Sequence, residues 1–263
     1  MKDILTEIVA DKRLEVEAAR SRRPLDAVRE AALAAPRSTR SMRAALASSP
    51  YGIISEFKRK SPSKGWIHED ADPMVVIPAY QASGASALSI LTDSKYFGGC
   101  QDFIRRIRPQ VDIPILRKDF IIDEYQLYEA REIGADAVLL IAACLSVDEC
   151  RTLIGKAHEL GLEVLLETHS PEEMEYAGLD ADMVGINNRN LGTFHTDIQN
   201  SFDLADALRA NAIDKVLVSE SGISDPAKVR ALRQKGFKGF LMGENFMKHE
   251  DPGKALKEFI AAL

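Results

Sequence analysis

Short apolar runs return along most of the chain, at Ile53-Ile54, Leu88 to Leu91, Ile113 to Leu116, Ala137 to Ile141, Val164 to Leu166, Met183 to Ile186, Val216 to Val218 and Phe240 to Met242. They recur at intervals of roughly 20 to 35 residues, and most intervals carry apolar positions at helical spacing. Parallel neighbours need a crossover long enough for a helix, so this alternation is that of a parallel sheet. Helices are expected over Tyr125 to Ile133, Val147 to Leu160 and Pro226 to Lys235, each followed by a glycine, Gly134, Gly161 or Gly236, suited to the left-handed residue that ends a helix. Eight βα units in 263 residues favour a closed (β/α)₈ TIM barrel folding as one domain, and the pattern leaves an open doubly wound sheet as the alternative. Residues 1–45 precede the barrel, which is expected over 46–263. Leu5, Ile8, Val9 and Val16, then Leu25 to Leu33 after Pro24, predict an N-terminal helical extension whose expected role is to pack on an open barrel end.

Composition narrows the function classes. Lys and Arg number 34 against 40 Asp and Glu, a net charge of −6, which disfavours nucleic acid or an anionic membrane as partner. The 3 cysteines, Cys100, Cys144 and Cys150, show neither zinc-ligand spacing nor a CxxC pair, and an odd count argues against a disulfide framework. A reducing, cytoplasmic setting is expected. Met1 to Val16 interleaves charge with apolar residues and lacks the unbroken apolar core of a secretory signal. The longest apolar stretch, near Ala137 to Leu145, falls well short of the roughly 18 residues that span a bilayer.

In a parallel barrel the functional groups gather where strands end. The first strand runs into Ser55-Glu56-Phe57-Lys58, and the period of two places Glu56 and Lys58 on one side. The third ends Arg117-Lys118-Asp119, with Lys118 as the expected inward member; a rim ion-pair network is the competing reading. The fifth ends Glu167-Thr168-His169, which offers Glu167 as a general base; His169 falls on the same face but is assigned to the loop. Asn187 and Arg189, after the sixth, are donors suited to a carboxylate or hydroxyls. Glu220, Ser221 and Gly222 follow the seventh, and Gly243 and Glu244 the eighth. Loops at these two positions often bind phosphate, because glycine admits backbone amides to an oxygen and a helix N-terminus adds positive potential.

Taken together, SEFKRKSPSKG, ILTDSKYFGG, ILRKDFIID, LLETHS, GINNRNL, SESGI and FLMGENFM closely resemble indole-3-glycerol-phosphate synthase over essentially the whole chain. The resemblance implies a cofactor-independent, metal-free barrel enzyme of tryptophan biosynthesis acting on a phosphosugar-anthranilate substrate. It makes Lys118 the general acid, Glu167 the base and Lys58 a second lysine directed at the substrate carboxylate or at dehydration, with Glu56 supporting Lys58. Asn187 and Glu220 join the catalytic set. Arg189 and Ser221 are implied substrate contacts, Leu91, Phe97, Phe120 and Leu191 the enclosure of the anthranilate ring, and Ser61, Gly222 and Gly243 the phosphate site. Two stretches depart from the pattern. Glu244 stands where some relatives carry a small hydroxyl residue, so its carboxylate is expected to point away from the phosphate, and Gly192 to Thr196 is atypical. A monomer is expected, with no nucleic-acid or membrane partner. Another phosphosugar barrel, such as an isomerase or a Schiff-base aldolase using Lys118, and a silent phosphosugar-binding protein are the alternatives.

Overall fold

The structure, a computed structural model, describes residues 4–36, 40–190, 195–210 and 215–263. Eight strands close into a barrel: β1 (Ile53–Phe57), β2 (Ala87–Leu91), β3 (Ile115–Lys118), β4 (Ala137–Ile141), β5 (Glu163–Thr168), β6 (Met183–Asn187), β7 (Val216–Glu220) and β8 (Gly239–Met242). Each strand pairs in parallel with the next, and β8 returns to β1 through Ile53–Phe240, Ile54–Leu241 and Ser55–Met242. This excludes the open sheet. The third strand begins two residues later than its apolar run, because Pro114 offers no amide to the ladder.

Twelve helices accompany the strands among the described residues: α1 (Ile4–Arg22), α2 (Leu25–Ala34), α3 (Met42–Ser48), α4 (Pro73–Ala82), α5 (Gln101–Ile107), α6 (Glu124–Ile133), α7 (Val147–Glu159), α8 (Met174–Ala177), α9 (Gln199–Ala210), α10 (Pro226–Gln234), α11 (Glu244–Met247) and α12 (Pro252–Ala261). Their starts are written locally. Asp72, Asp123, Asp225 and Asp251 cap α4, α6, α10 and α12 with their carboxylates, and Ser146 with Glu149 forms a capping box on α7. Gly134, Gly161 and Gly236, past the ends of α6, α7 and α10, have φ of 90°, 73° and 95°. No helix among the described residues is long and apolar enough to cross a membrane.

Alternation divides each strand. Outward positions such as Ile90, Val138, Leu140, Val164 and Ile186 meet the helices, whereas Ile54, Leu116, Leu139, Leu165, Met183 and Val218 fill the barrel. Along the inward rows, apolar residues at the strand starts give way to Lys118, Glu167, Asn187 and Glu220 at the strand ends.

The N-terminal extension covers both ends of this cylinder. Met42 and Leu46 of α3, a helix running across residue 45, are fully buried with Ala87, Ala137 and Met183 at the strand starts. Serine 41 caps α3 and hydrogen-bonds Glu163 at the start of β5. Val28 and Ala32 of α2 pack on Tyr125 and Tyr128 of α6. The first helix lies across the opposite end, where Leu5 and Ile8 line the mouth; it therefore builds a wall of the cavity as well as covering it.

Candidate active site

The register delivers the charged groups to one place. On β3, Lys118 pairs with Leu91; on β5, Glu167 pairs with Ile141 and Gly185; on β6, Asn187 pairs with Glu220. Lys118 Nζ donates to Glu167 Oε2 at 2.9 Å and to Glu220 Oε2 at 3.1 Å. Asn187 Nδ2 donates to Glu167 Oε1 at 3.1 Å and its Oδ1 accepts the Arg189 amide at 3.0 Å, so the loop after β6 is fastened to the carboxylate on β5. Just past the end of β1, Lys58 Nζ lies 2.7 Å from Oε1 of Glu56 on that strand, with both side chains facing the same cavity. A rim salt-bridge network does not describe this cluster, since the Lys118, Glu167 and Glu220 side chains are only 14%, 4% and 2% exposed.

Burial and mutual charge set the protonation states. Burial disfavours the Lys118 ammonium, but Glu167, Glu220 and Glu56 outweigh it and push the lysine pKa up. Burial also favours neutral Glu167, yet Lys118 and His169 prevail and hold this carboxyl well below its usual range. Glu220 moves the other way: burial raises its pKa, Lys118 only partly opposes that, and the neighbouring Glu167 raises it further. Two carboxyl groups sharing one ammonium are thus driven apart, Glu167 toward the base form and Glu220 toward the acid.

Two glycines make room for this arrangement. A Cβ at Gly185 would collide with Glu220 Oε1, and one at Gly243 would collide with Glu56 Oε1. Gly243 therefore clears a carboxylate as well as lining the expected phosphate end. At that end Ser61 is 3% exposed, and its Oγ has no hydrogen-bond partner among the described residues while the residue lines the cavity. Ser221 and Gly222 have φ of 67° and 73°, a left-handed pair that turns the chain across the mouth. Only glycine fits at 222 for a second reason: a Cβ would strike the Thr196 methyl.

Glu244 lines the rim of the cavity, 3.8 Å from Lys64 and 3.9 Å from Arg189, and these two cations offset its charge. On the apolar side, the Phe97 and Phe120 rings stand 6.0 Å apart at 39°, beside Leu91 and Ile8. Leu191 lies outside the described residues. Every other residue expected at the site lines this cavity.

The sequence reading kept His169 in the loop and did not single out Gly185 or Lys12. His169 is not a free loop residue: its Nε2 lies 3.1 Å from Glu167 Oε1 and its Nδ1 3.7 Å from Glu173, and the backbone amide of His169 donates to Glu173 at 2.7 Å. Although burial opposes its charge, Glu167 and Glu173 carry its pKa up to about 9. Its signal was the two-residue spacing from Glu167. Gly185 gave its signal as a glycine inside a strand. Lys12 gave its own as a lysine between Ile8 and Val16 at helical spacing, on the buried stripe of α1.

A closed parallel barrel that gathers a buried ammonium and two carboxyl groups at its strand ends places the chain in the class of (β/α)₈ barrel enzymes. Residues 5–259 match the family model described as indole-3-glycerol phosphate synthase. An indole-3-glycerol phosphate synthase of Bacteroides thetaiotaomicron is 59% identical over 263 residues, covering 100% of both chains. One of Azoarcus sp. is 46% identical over 261 residues, covering 98% of each chain. The chain belongs to the indole-3-glycerol phosphate synthase family. Among solved structures, a mutant tryptophan synthase alpha-subunit from Pyrococcus furiosus matches with a TM-score of 0.60 at 17% identity, over 81% of this chain and 97% of that one, a likeness of fold.

Proposed function

We propose that the chain converts 1-(2-carboxyphenylamino)-1-deoxyribulose 5-phosphate to indole-3-glycerol phosphate, carbon dioxide and water, with Lys118 as acid and Glu167 as base. The observation carrying this reading is the contact of one buried ammonium with both Glu167 and Glu220, at 2.9 and 3.1 Å, inside a mouth with one aromatic and one phosphate-suited end.

The ring-carbon bond forms when the carbon bearing the carboxylate attacks the ribulose carbonyl; the negative charge gathering on that oxygen is met by the Lys118 proton. Cleavage of the bond to the carboxylate releases carbon dioxide and returns its electron pair to the ring. Dehydration then needs a proton removed, by Glu167, and a proton given to the departing hydroxyl. Acid and base are linked by one charge: once Lys118 has given up its proton, the field holding Glu167 ionised weakens, and the carboxylate becomes a better base when it is needed. Lys58, directed by Glu56, faces the substrate carboxylate or serves as the second proton donor. Glu220 in its neutral form and Asn187 hold the pair in register. Arg189 and Ser221 contact the substrate, Leu91, Phe97, Phe120 and Leu191 enclose its ring, and Ser61, Gly222 and Gly243 take the phosphate.

No cofactor enters these steps. The extension over 1–45 and the barrel over 46–263 act as one domain, and the enzyme works as a cytoplasmic monomer on a small-molecule substrate. Its charge of −6 supports the absence of a nucleic-acid partner. The test is turnover of the purified protein followed by indole fluorescence. Product from the parent and none above background from Lys118→Ala supports the reading, and no product from the parent, or equal product from both, rejects it. Borohydride trapping of substrate on Lys118 would favour the aldolase instead.

A further inference from the structure

Lys12 is the only lysine or arginine on α1 among that helix's buried residues, and its side chain is 1% exposed. Its Nζ donates to Glu15 at 2.7 Å and lies 3.0 Å from Asp93 and 3.0 Å from Asp119. Glu15 lies on the same helix, whereas Asp93 and Asp119 belong to the barrel. Asp93 follows β2, and its Oδ1 accepts the Tyr96 amide at 2.8 Å, one residue before Phe97. Asp119 follows Lys118 directly. Its Oδ1 accepts the Phe120 amide at 2.9 Å, and its Oδ2 accepts from Thr92 Oγ1 at 2.6 Å and from Arg117 at 3.0 Å. The lysine therefore meets two loops at their roots, one leading to each ring of the aromatic pair, and the strand end that bears the central ammonium.

This charge is not spare. Asp93 and Asp119 are both buried, and the buried cation that also reaches Asp119, Arg117 at 3.0 Å, is shared with Glu129 at 3.2 Å and the Gln126 carbonyl at 2.8 Å. Without Lys12, buried Asp93 loses the ammonium it pairs with and Asp119 keeps only part of one guanidinium. They would reorient or admit water, and the Phe97, Phe120 and Lys118 backbones are tied to them.

We propose that Lys12 is a positioning residue for the ring-closing reaction, acting through Asp119 and Asp93 to hold Lys118 and the aromatic slot in register. The inference rests on the function proposed above. The N-terminal helix is thus a working part of the site, and its ammonium joins the loops after β2 and β3 from outside the barrel.

The test compares Lys12→Met, which keeps the length of the side chain without its charge, with Lys12→Arg and with Asp11→Asn. Asp11 touches the Tyr96 hydroxyl and Lys95 and so fastens the same helix to the loop after β2 without pairing with Asp93 or Asp119. At saturating substrate, Lys12→Met is expected to lower kcat at least tenfold, Lys12→Arg to recover most of it, and Asp11→Asn to stay within twofold of the parent. A kcat for Lys12→Met within twofold of the parent, or equal losses in Lys12→Met and Asp11→Asn, would overturn the proposal in favour of a stabilising role alone. A crystal structure of Lys12→Met gives a readout independent of turnover. The Lys118–Glu167 contact, 2.9 Å in the parent, is expected to open beyond hydrogen-bond distance or the two phenylalanine rings to part. Unchanged geometry overturns the proposal even if the parent enzyme proves to act on a different substrate, while an inactive parent with displaced geometry counts against the reaction assignment and not against Lys12.

Discussion

Gly185→Ala is a sharper probe of the site than removal of any charged group, because it leaves every catalytic side chain chemically intact and displaces one of them. The added methyl lies far inside the 3.0 Å limit that real Cβ contacts respect, against Glu220 Oε1 on one side and within 3.3 Å of Leu165 on the other. The carboxyl group must therefore retreat by about 1 Å, and a displacement of that size is enough to cost on the order of 10²-fold in rate. In barrier terms that is about 2.7 kcal/mol. Overpacking at a buried strand should also destabilise the fold by about 2 kcal/mol, lowering Tm by roughly 4–8 °C. The assay is initial-rate indole fluorescence at saturating substrate, with calorimetric Tm. Gly155→Ala on α7 serves as control, since a Cβ there meets nothing within 4 Å; it should keep its rate and gain roughly 2–4 °C in Tm. If the loss works through Glu220, adding Gly185→Ala to Glu220→Gln should cost little beyond Glu220→Gln alone. A Gly185→Ala enzyme with kcat within twofold of the parent, or fully additive losses in the double variant, would show that the position of Glu220 does not govern turnover.

Glu167→Gln should lower kcat by about 10²- to 10⁴-fold with KM changed only a few-fold, because a base acts in the transition state more than in binding; steady-state kinetics at unchanged kcat would remove it from that role. His169 has a folded-state pKa raised from 6.5 to about 9, so its charge stabilises the fold fully below pH 6.5 and that stabilisation is lost as pH rises through 9. The gap in unfolding free energy between the parent and His169→Gln should reach about 3 kcal/mol at pH 6 and close by pH 10, as followed by urea titration; a gap that widens with pH contradicts the pairing. Gly222→Ala forces a side chain into φ 73° and against Thr196, and should raise both KM and the inhibition constant of inorganic phosphate about tenfold; unchanged phosphate inhibition would move the phosphate site elsewhere.

Much of this site is legible in the chain because a barrel converts strand position into location. Once Ile115-Leu116, Val164 to Leu166 and Val216 to Val218 are read as strands, Lys118, Glu167 and Glu220 follow at their inward C-terminal ends, and the fold brings them together. What escapes is whatever depends on partners far away in sequence. His169 looks like a loop residue until Glu173 and Glu167 are seen to bracket it. Lys12 breaks the apolar stripe of α1 in plain view, but the sequence cannot say that Asp93 and Asp119 wait beneath it. The placement of α1 over the mouth and α3 over the floor is likewise a matter of tertiary packing, since helical spacing marks a buried face without naming what it is buried against. The short hairpin of Lys60–Ser61 with Gly65–Trp66 has no alternation long enough to betray it.

The acid, the base, the aromatic slot and the phosphate anchors are expected to serve one bound molecule. A crystal structure with an unreactive substrate analogue, its ribulose carbonyl reduced to an alcohol, tests it directly. The phosphate should sit on Ser61, Gly222 and Gly243, the anthranilate ring against Phe97 and Phe120, and the alcohol oxygen within hydrogen-bond reach of Lys118. An analogue whose phosphate occupies another surface, or whose alcohol lies out of reach of both Lys118 and Glu167, would contradict the account.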